Sequence, residues 1–555
     1  MKEKPPSPDN SRRRFLQAGV LAGAGASAGA MKAAAHIMGG RVVATTTSQS
    51  DVKPFELDEV TIAELQKGMK SGEYTARSLT EKYLARIDEI DKRGPTINAI
   101  IELNPDALSI AAALDEERKA KGPRGPMHGI PVLIKDNIGT HDRMQTTAGA
   151  IALAGSIPAR DSFVAKRLRE SGAVIIGKAN LSEWADVRSY TSTSGWSSRG
   201  GQTMNPYVLD RNPLGSSAGT GAAIAASLAA AGVGSETDGS ITCPSSANGL
   251  AGIKPTVGLV SRYGIIPISH HQDTAGPMAR TVTDMAILLG AMCGIDPEDS
   301  FTAKSRGKSF ADYTQFLDAA APKGARIGVA RKAFDYGAAV EKVFNEAIAA
   351  LKQSGAEIID PADLPTLGQF EHYEQMLLHY EFKANINAYL AELGPGVAVH
   401  SLRDVIEFDE KHRDREMPYF GQERFLICQE KGPLTTPEYL EAVEKAQRLT
   451  RAEGIDAVMD KFRLDAIVAP STGPAWVTDL VTGDHQAGKS SRPAAVSGYP
   501  NLSLPMGWIF GLPVGISFYG RAYSEPTLIK LAYALEQATR HRRPPRFLPT
   551  AELRV

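Results

Sequence analysis

Short aliphatic runs alternate with helical stretches along this chain, and that alternation restricts the fold more than any other feature. Residues 131–134 form a buried-strand candidate, 162–171 carry a helical pattern, and Ala173-Val-Ile-Ile176 is a second strand. The unit recurs at 326–330, a helix over 338–353 and Glu357-Ile-Ile359. Buried strands return at 463–470, 497–506 and 511–517, and a helix over 525–540 closes the pattern. This predicts an α/β domain with a central mixed, mostly parallel sheet covered by helices on both faces. No linker or repeat interrupts 56–545, so one large domain is expected, with the helix-rich, charged stretch 368–460 as a peripheral cap.

Helices lead into this pattern. Thr61-Ile-Ala-Glu64 is a capping box for a segment ending near Ser71. Thr75 caps a second helix with Leu79, Tyr83, Leu84, Ile87 and Ile90 on one face, and 106–121 makes a third. The Ala-rich run 221–231 imitates a membrane helix, but alanine and glycine are weakly apolar, so a buried helix beneath a site is expected.

The first residues belong to something else. Ser11-Arg-Arg-Arg-Phe-Leu16 precedes a weakly apolar Ala/Gly run to Ala30, which resembles a twin-arginine export signal read by its own machinery. Residues 1–44 are therefore expected to direct the protein to the periplasm, while the run is too short to span a membrane stably. A disordered basic tail is the alternative.

A net charge of −1 gives no electrostatic reason for a nucleic-acid partner. Cys243, Cys293 and Cys428 are too scattered for a disulfide framework, and no metal-ligand spacing is present. His270 and His271 form the one adjacent histidine pair, and with no carboxylate or cysteine at ligand spacing they read as loop structure.

Chemistry concentrates in three pieces. Ser240 lies in the small-residue stretch Gly234-Ser-Glu-Thr-Asp-Gly-Ser-Ile-Thr-Cys-Pro-Ser-Ser-Ala-Asn-Gly249, where the backbone can turn tightly and aim its N–H groups at one point. Ser216 lies in Gly215-Ser-Ser-Ala-Gly219. Lys135 lies inside the apolar run Gly129-Ile-Pro-Val-Leu-Ile-Lys-Asp-Asn-Ile138, where desolvation turns an ammonium into a usable base. Alternatively Lys135 pairs with Asp136. A second reading makes Ser217 a nucleophile-elbow serine served by a histidine, but that motif needs a preceding strand, and a proline-broken loop stands there.

Taken together, these motifs resemble the amidase signature family. Gly177-Lys-Ala-Asn-Leu-Ser-Glu-Trp-Ala185, Lys254-Pro-Thr-Val-Gly258, Asp273-Thr-Ala-Gly-Pro-Met-Ala-Arg-Thr281, Gly498-Tyr-Pro-Asn-Leu502 and Gly511-Leu-Pro-Val-Gly515 extend the match in order over 56–545. The segments 194–203 and 261–268 look most like bacterial peptide amidases. The resemblance implies Ser240 as acylated nucleophile, Lys135 as base and Ser216 as relay after a cis peptide bond. It further implies an oxyanion hole from the N–H groups of Thr237, Asp238, Gly239 and Ser240, and no metal or organic cofactor.

Leu214 departs from the pattern, since a glycine often stands there, and this touches loop packing more than chemistry. Residues 190–203 supply a polar candidate substrate lining, with Trp196, Arg199 and Ser217 as possible contacts. The expected substrate is a small or short-peptide carboxamide, with C-terminal peptide amides favoured over general aliphatic or aryl amides. The rival classes are a non-catalytic binding module and a transamidosome subunit.

Overall fold

The computed structural model describes residues 52–485 and 488–553. The export signal expected over 1–44 lies outside the described residues. Eleven strands form one mixed sheet. They are β1 (Ile100–Leu103), β2 (Pro131–Lys135), β3 (Val174–Ala179), β4 (Ala231–Glu236), β5 (Ala251–Lys254), β6 (Thr274–Ala279), β7 (Arg326–Val329), β8 (Glu357–Ile359), β9 (Ala466–Pro470), β10 (Asn501–Ile509) and β11 (Leu512–Tyr519).

Their spatial order is β1-β3-β2-β4-β6-β5-β10-β11-β9-β7-β8. The ladders β2–β3, β2–β4, β7–β9 and β7–β8 are parallel, and antiparallel ladders join these two blocks through the middle of the sheet. Strands β2, β3, β4, β5, β6, β9 and β11 are buried along their whole length, which is why they read as continuous apolar or small-residue runs instead of alternating ones.

Local signals place the surrounding helices. Thr61 and Glu64 close a reciprocal capping box on Ile62–Ser71, and Thr75 caps Ala76–Ile87. The predicted helices near 107–121, 163–170, 337–353 and 525–539 form within a residue or two of expectation. The Ala-rich run behaves differently from expectation. Its helix is Ala218–Ala225, wholly buried, and the chain then turns at Ser227 (φ +54) to start β4 at Ala231. No helix among the described residues is long and apolar enough to cross a membrane.

Within 368–460 helices joined by loops predominate, including Glu371–Ala391, Leu402–Lys411, Glu423–Gln429 and Pro437–Thr450. Trp184 and Val187 join Phe382, Phe425 and Leu402 of this region in one apolar cluster, which fixes its helices above the carboxyl end of β3.

Candidate active site

Strand β2 lies between β3 and β4, parallel to both, so all three end at one edge of the sheet. Open α/β sheets bind ligands outside the carboxyl ends of their strands. Lys135 is the last residue of β2 and is fully buried. Its Nζ lies 2.8 Å from Ser216 Oγ, 3.0 Å from Ser235 Oγ and 3.2 Å from the carbonyl oxygen of Ser235 on β4. Asn137 Nδ2 donates to the same Ser235 hydroxyl at 2.9 Å. The pairing of Lys135 with Asp136 does not form. Asp136 instead accepts from Thr147 Oγ1 and lies 3.6 Å from Arg199 Nη1.

Burial pulls the Lys135 ammonium down to about 7, against the opposing pull of the Asp186, Asp273 and Glu236 carboxylates.

Ser216 sits just before the Ala218–Ala225 helix, and the Gly215–Ser216 peptide bond is cis, as the resemblance implied. Gly215 has no room for a side chain. A Cβ there would lie 2.2 Å from Ser182 Oγ and 3.0 Å from Asp186 Oδ2. Leu214 adopts φ +59, a left-handed conformation that costs a branched residue about 1–2 kcal/mol, while its side chain is buried.

Ser240 occupies the turn between β4 and the Thr242–Ala247 helix. The carbonyls of this turn are all engaged. Thr237 O accepts from Gln272 Nε2 at 3.3 Å, Asp238 O from Lys489 Nζ at 2.9 Å, Gly239 O from Cys243 N at 2.8 Å and Ser240 O from Ser217 N at 3.1 Å. Each N–H points opposite the carbonyl of the preceding residue in its planar peptide. The N–H groups of Asp238, Gly239 and Ser240 therefore face away from those partners, and they have no hydrogen-bond acceptor among the described residues.

Glu236 closes the turn by accepting from Ile241 N at 2.7 Å and Thr242 N at 2.9 Å. Gly239 takes φ +88, and a Cβ there would lie 2.7 Å from Cys243 Sγ.

Ser216, Ser235, Ser240, Asn137 and Asp273 line one small cavity. Ser240 also lines a neighbouring cleft of about 450 Å³, with Asp186, Tyr190, Ser192, Ser194, Asp484 and Arg424 on its walls. Segment 190–203 thus reaches the cleft only with its first residues. Trp196 is buried edge-to-face against Tyr419 and Phe420, and Arg199 pairs with Glu102. Ser217 is wholly buried, its hydroxyl donating to Ser235 O at 3.1 Å. None of these three candidate contacts lines the cavity or the cleft. The same burial removes Ser217 as an exposed nucleophile, and no histidine lines either space.

Sequence reasoning missed Asn137, Ser235, Asp186, Asp273, Asp484, Lys489 and Arg492. Asn137 follows Lys135 by two residues and was within reach of inspection. Lys489 comes from 251 residues beyond Asp238, and nothing local marks it.

A model of the amidase family matches residues 78–529. A probable amidase of Arabidopsis thaliana is 42% identical over 89% of this chain and 93% of its own length. The crystal structure of the peptide amidase from Stenotrophomonas maltophilia superposes with a TM-score of 0.85 and 48% identity, over 89% of this chain and all of that one. A glutamyl-tRNA(Gln) amidotransferase subunit of Thermoanaerobacter pseudethanolicus is 35% identical over 88% of this chain and 98% of its own length. With a lysine and two serines converging beside an amide-lined turn, and with this coverage, the chain belongs to the amidase family and is an amide-hydrolysing enzyme.

Proposed function

We propose that the enzyme hydrolyses carboxamides through Ser240 as nucleophile, Ser216 as relay and Lys135 as base. One observation carries this reading. A neutral amine has two hydrogens and one lone pair, and Lys135 Nζ has three partners. Donating to the Ser235 carbonyl and hydroxyl leaves the lone pair for the Ser216 O–H.

As Ser240 Oγ attacks the carbonyl carbon, its proton passes to Ser216 and the Ser216 proton to Lys135. The oxyanion forms against the outward N–H groups of the 237–240 turn, where losing one donor costs on the order of 10²–10³ in rate. Collapse of the tetrahedral adduct returns the proton by the same route to the leaving nitrogen, and ammonia departs. Water then attacks the acyl-enzyme with Ser216 and Lys135 acting as before, releasing the carboxylic acid and restoring Ser240.

The substrate we favour is a C-terminal peptide amide. The cleft beside Ser240 offers the hydroxyls of Ser192, Ser194 and Tyr190 and the carboxylates of Asp186 and Asp484, groups that hydrogen-bond a peptide backbone, while Ile268 and Leu378 supply limited apolar surface. The likeness to the Stenotrophomonas maltophilia peptide amidase supports the same choice. A role within a tRNA-dependent amidotransferase would require a partner, and the export signal read over 1–44 argues against it.

Ammonia release from a panel of amides tests the reading: Ser240→Ala abolishes release with the melting temperature retained, whereas turnover by Ser240→Ala would refute it.

A further inference from the structure

Ten residues after Val260 the chain presents two neighbouring imidazoles to a carboxylate from another element. Glu381, on the Glu371–Ala391 helix, is fully buried, while His270 and His271 stay part-exposed. His271 Nδ1 is in close contact with Glu381 Oε1, and His270 Nε2 lies 3.4 Å from the same oxygen. The three donor atoms lie within 4.8 Å of one another.

Surrounding bonds fix how these groups point. Asn385 Nδ2 donates to the Ile268 carbonyl at 3.2 Å, which leaves Asn385 Oδ1 facing His270 Nδ1 at 3.3 Å. His270 Nδ1 must then carry a hydrogen. In the neutral ring its Nε2 is a bare lone pair, 3.4 Å from Glu381 Oε1 and 3.4 Å from the Tyr439 hydroxyl oxygen. Tyr439 OH donates to Glu381 Oε1 at 2.8 Å, and Ser269 Oγ donates to Oε2. Two facing lone pairs repel unless a cation lies between them.

That cation is either a proton or a metal ion, and the shell favours a metal. A ligating histidine characteristically donates its other ring nitrogen to a fixed acceptor, as His270 does to Asn385, and a ligating carboxylate is itself hydrogen-bonded, as Glu381 is. Tetrahedral Zn²⁺ with ligands near 2.0–2.1 Å holds its donors about 3.3–3.4 Å apart. The 3.4 Å between His270 Nε2 and Glu381 Oε1 matches this, whereas His271 Nδ1 sits closer to the same oxygen and has to move outward as the ion enters. Two imidazoles and one carboxylate suit a transition-metal ion and disfavour Ca²⁺ and Mg²⁺, which select all-oxygen sites. Ions have a way in, because His270 lines one cavity of about 430 Å³ and His271 another of about 470 Å³.

We propose that His270, His271 and Glu381 bind one divalent transition-metal ion of the Zn²⁺ type. The ion fastens the 268–273 turn to the 371–391 helix. That turn reaches the active site directly: the N–H groups of Ile268 and Ser269 donate to Asp273 Oδ2, and Asp273 Oδ1 accepts from Thr237 Oγ1 at 2.6 Å. His270, His271 and Glu381 line neither the cavity nor the cleft at Ser240, so the ion acts on the support of the Ser240 turn and the hydrolytic reading stands or falls independently of it.

The test is calorimetric titration of ZnCl₂ into untagged, chelator-stripped protein, with Co²⁺ absorption as a second readout. One site per chain, with Kd below about 10 µM, and visible Co²⁺ bands of a tetrahedral N/O site are expected. His271→Ala and Glu381→Gln each weaken Zn²⁺ binding by at least about 100-fold, while His412→Ala leaves it unchanged. If Glu381→Gln fails to fold, His270→Ala, at a part-exposed position, decides the question. Absence of saturable binding, or binding undiminished in the site variants, overturns the proposal and leaves a proton between His270 and Glu381.

Discussion

Lys489 Nζ donates to the carbonyl oxygen of Asp238 at 2.9 Å and pairs with the Asp238 carboxylate at 2.6 Å, gripping one residue by its backbone and its side chain together. Ser491 Oγ donates to the other carboxylate oxygen at 2.6 Å, and Arg492 lies 3.0 Å from Glu374 across the cleft. The turn bearing Ser240 is thereby held from outside by the 489–492 segment, with its N–H groups left free.

Removing that grip tests its purpose. Lys489→Ala is expected to lower kcat by about 10- to 100-fold, because small displacements of an oxyanion site are expensive in rate. KM for a small amide changes little, since the Asp186, Ser192, Ser194 and Asp484 walls of the cleft remain. Steady-state kinetics check this, with Lys489→Arg expected to recover part of the loss. An unchanged kcat in Lys489→Ala would mean the turn holds its own shape.

Stability at high pH has a separate source. Asp409 is fully buried, and neither of its carboxylate oxygens has a hydrogen-bond partner among the described residues. Burial, then the nearby Glu416 and Glu183 carboxylates, push its carboxyl up to about 9. The folded state holds this proton more tightly than the unfolded chain. The stability it confers is complete below the ordinary carboxylate range near 4 and is lost as pH rises through about 9. Melting temperature is therefore expected to fall between pH 7 and 10, and Asp409→Asn, which carries no charge, to flatten that fall. Equal slopes in the two proteins would contradict the assignment.

Much of this molecule was legible in its sequence, and the reason differs by region. The buried strands announced themselves because residues such as Val132, Leu133 and Ile134 are covered on both faces, so no polar alternation dilutes the run. Lys135 alone could equally have been a strand-end lysine paired with Asp136, as Lys178 and Lys254 are also buried in strands, and it was the serine-bearing loops at 215–219 and 234–249 that set it apart. Leu214 shows the limit: the family resemblance marks it as standing where a glycine is common, but only the structure shows the left-handed backbone that a glycine would adopt without strain. Glu381 shows it again. It lies 110 residues from His271, and only the packing of the 371–391 helix brings the two together.

Substrate choice is tested by comparing kcat/KM for a dipeptide amide, a simple aliphatic amide and an aryl amide. The dipeptide amide is expected to lead by tenfold or more, about 1.4 kcal/mol of transition-state binding. A simple amide leading by that margin would leave a general amidase.

Export through the twin-arginine route, proposed from Arg12 and Arg13, predicts folded enzyme in the periplasmic fraction. Changing both residues to lysine is expected to retain it in the cytoplasm, and unaltered fractionation would remove the signal from the account.

The central claim is that neutral Lys135 activates Ser240 through Ser216, and the pH dependence of Ser240 phosphonylation by a fluorophosphonate, with loss of fluoride, measures it most directly. The phosphonylation rate is expected to rise with pH to a plateau with an apparent pKa of about 7, the value to which burial brings Lys135. In Lys135→Ala the rate drops by about 10²–10⁴ and the inflection disappears. A label on Ser217, or a Lys135→Ala enzyme that keeps both the rate and the inflection, would contradict the account.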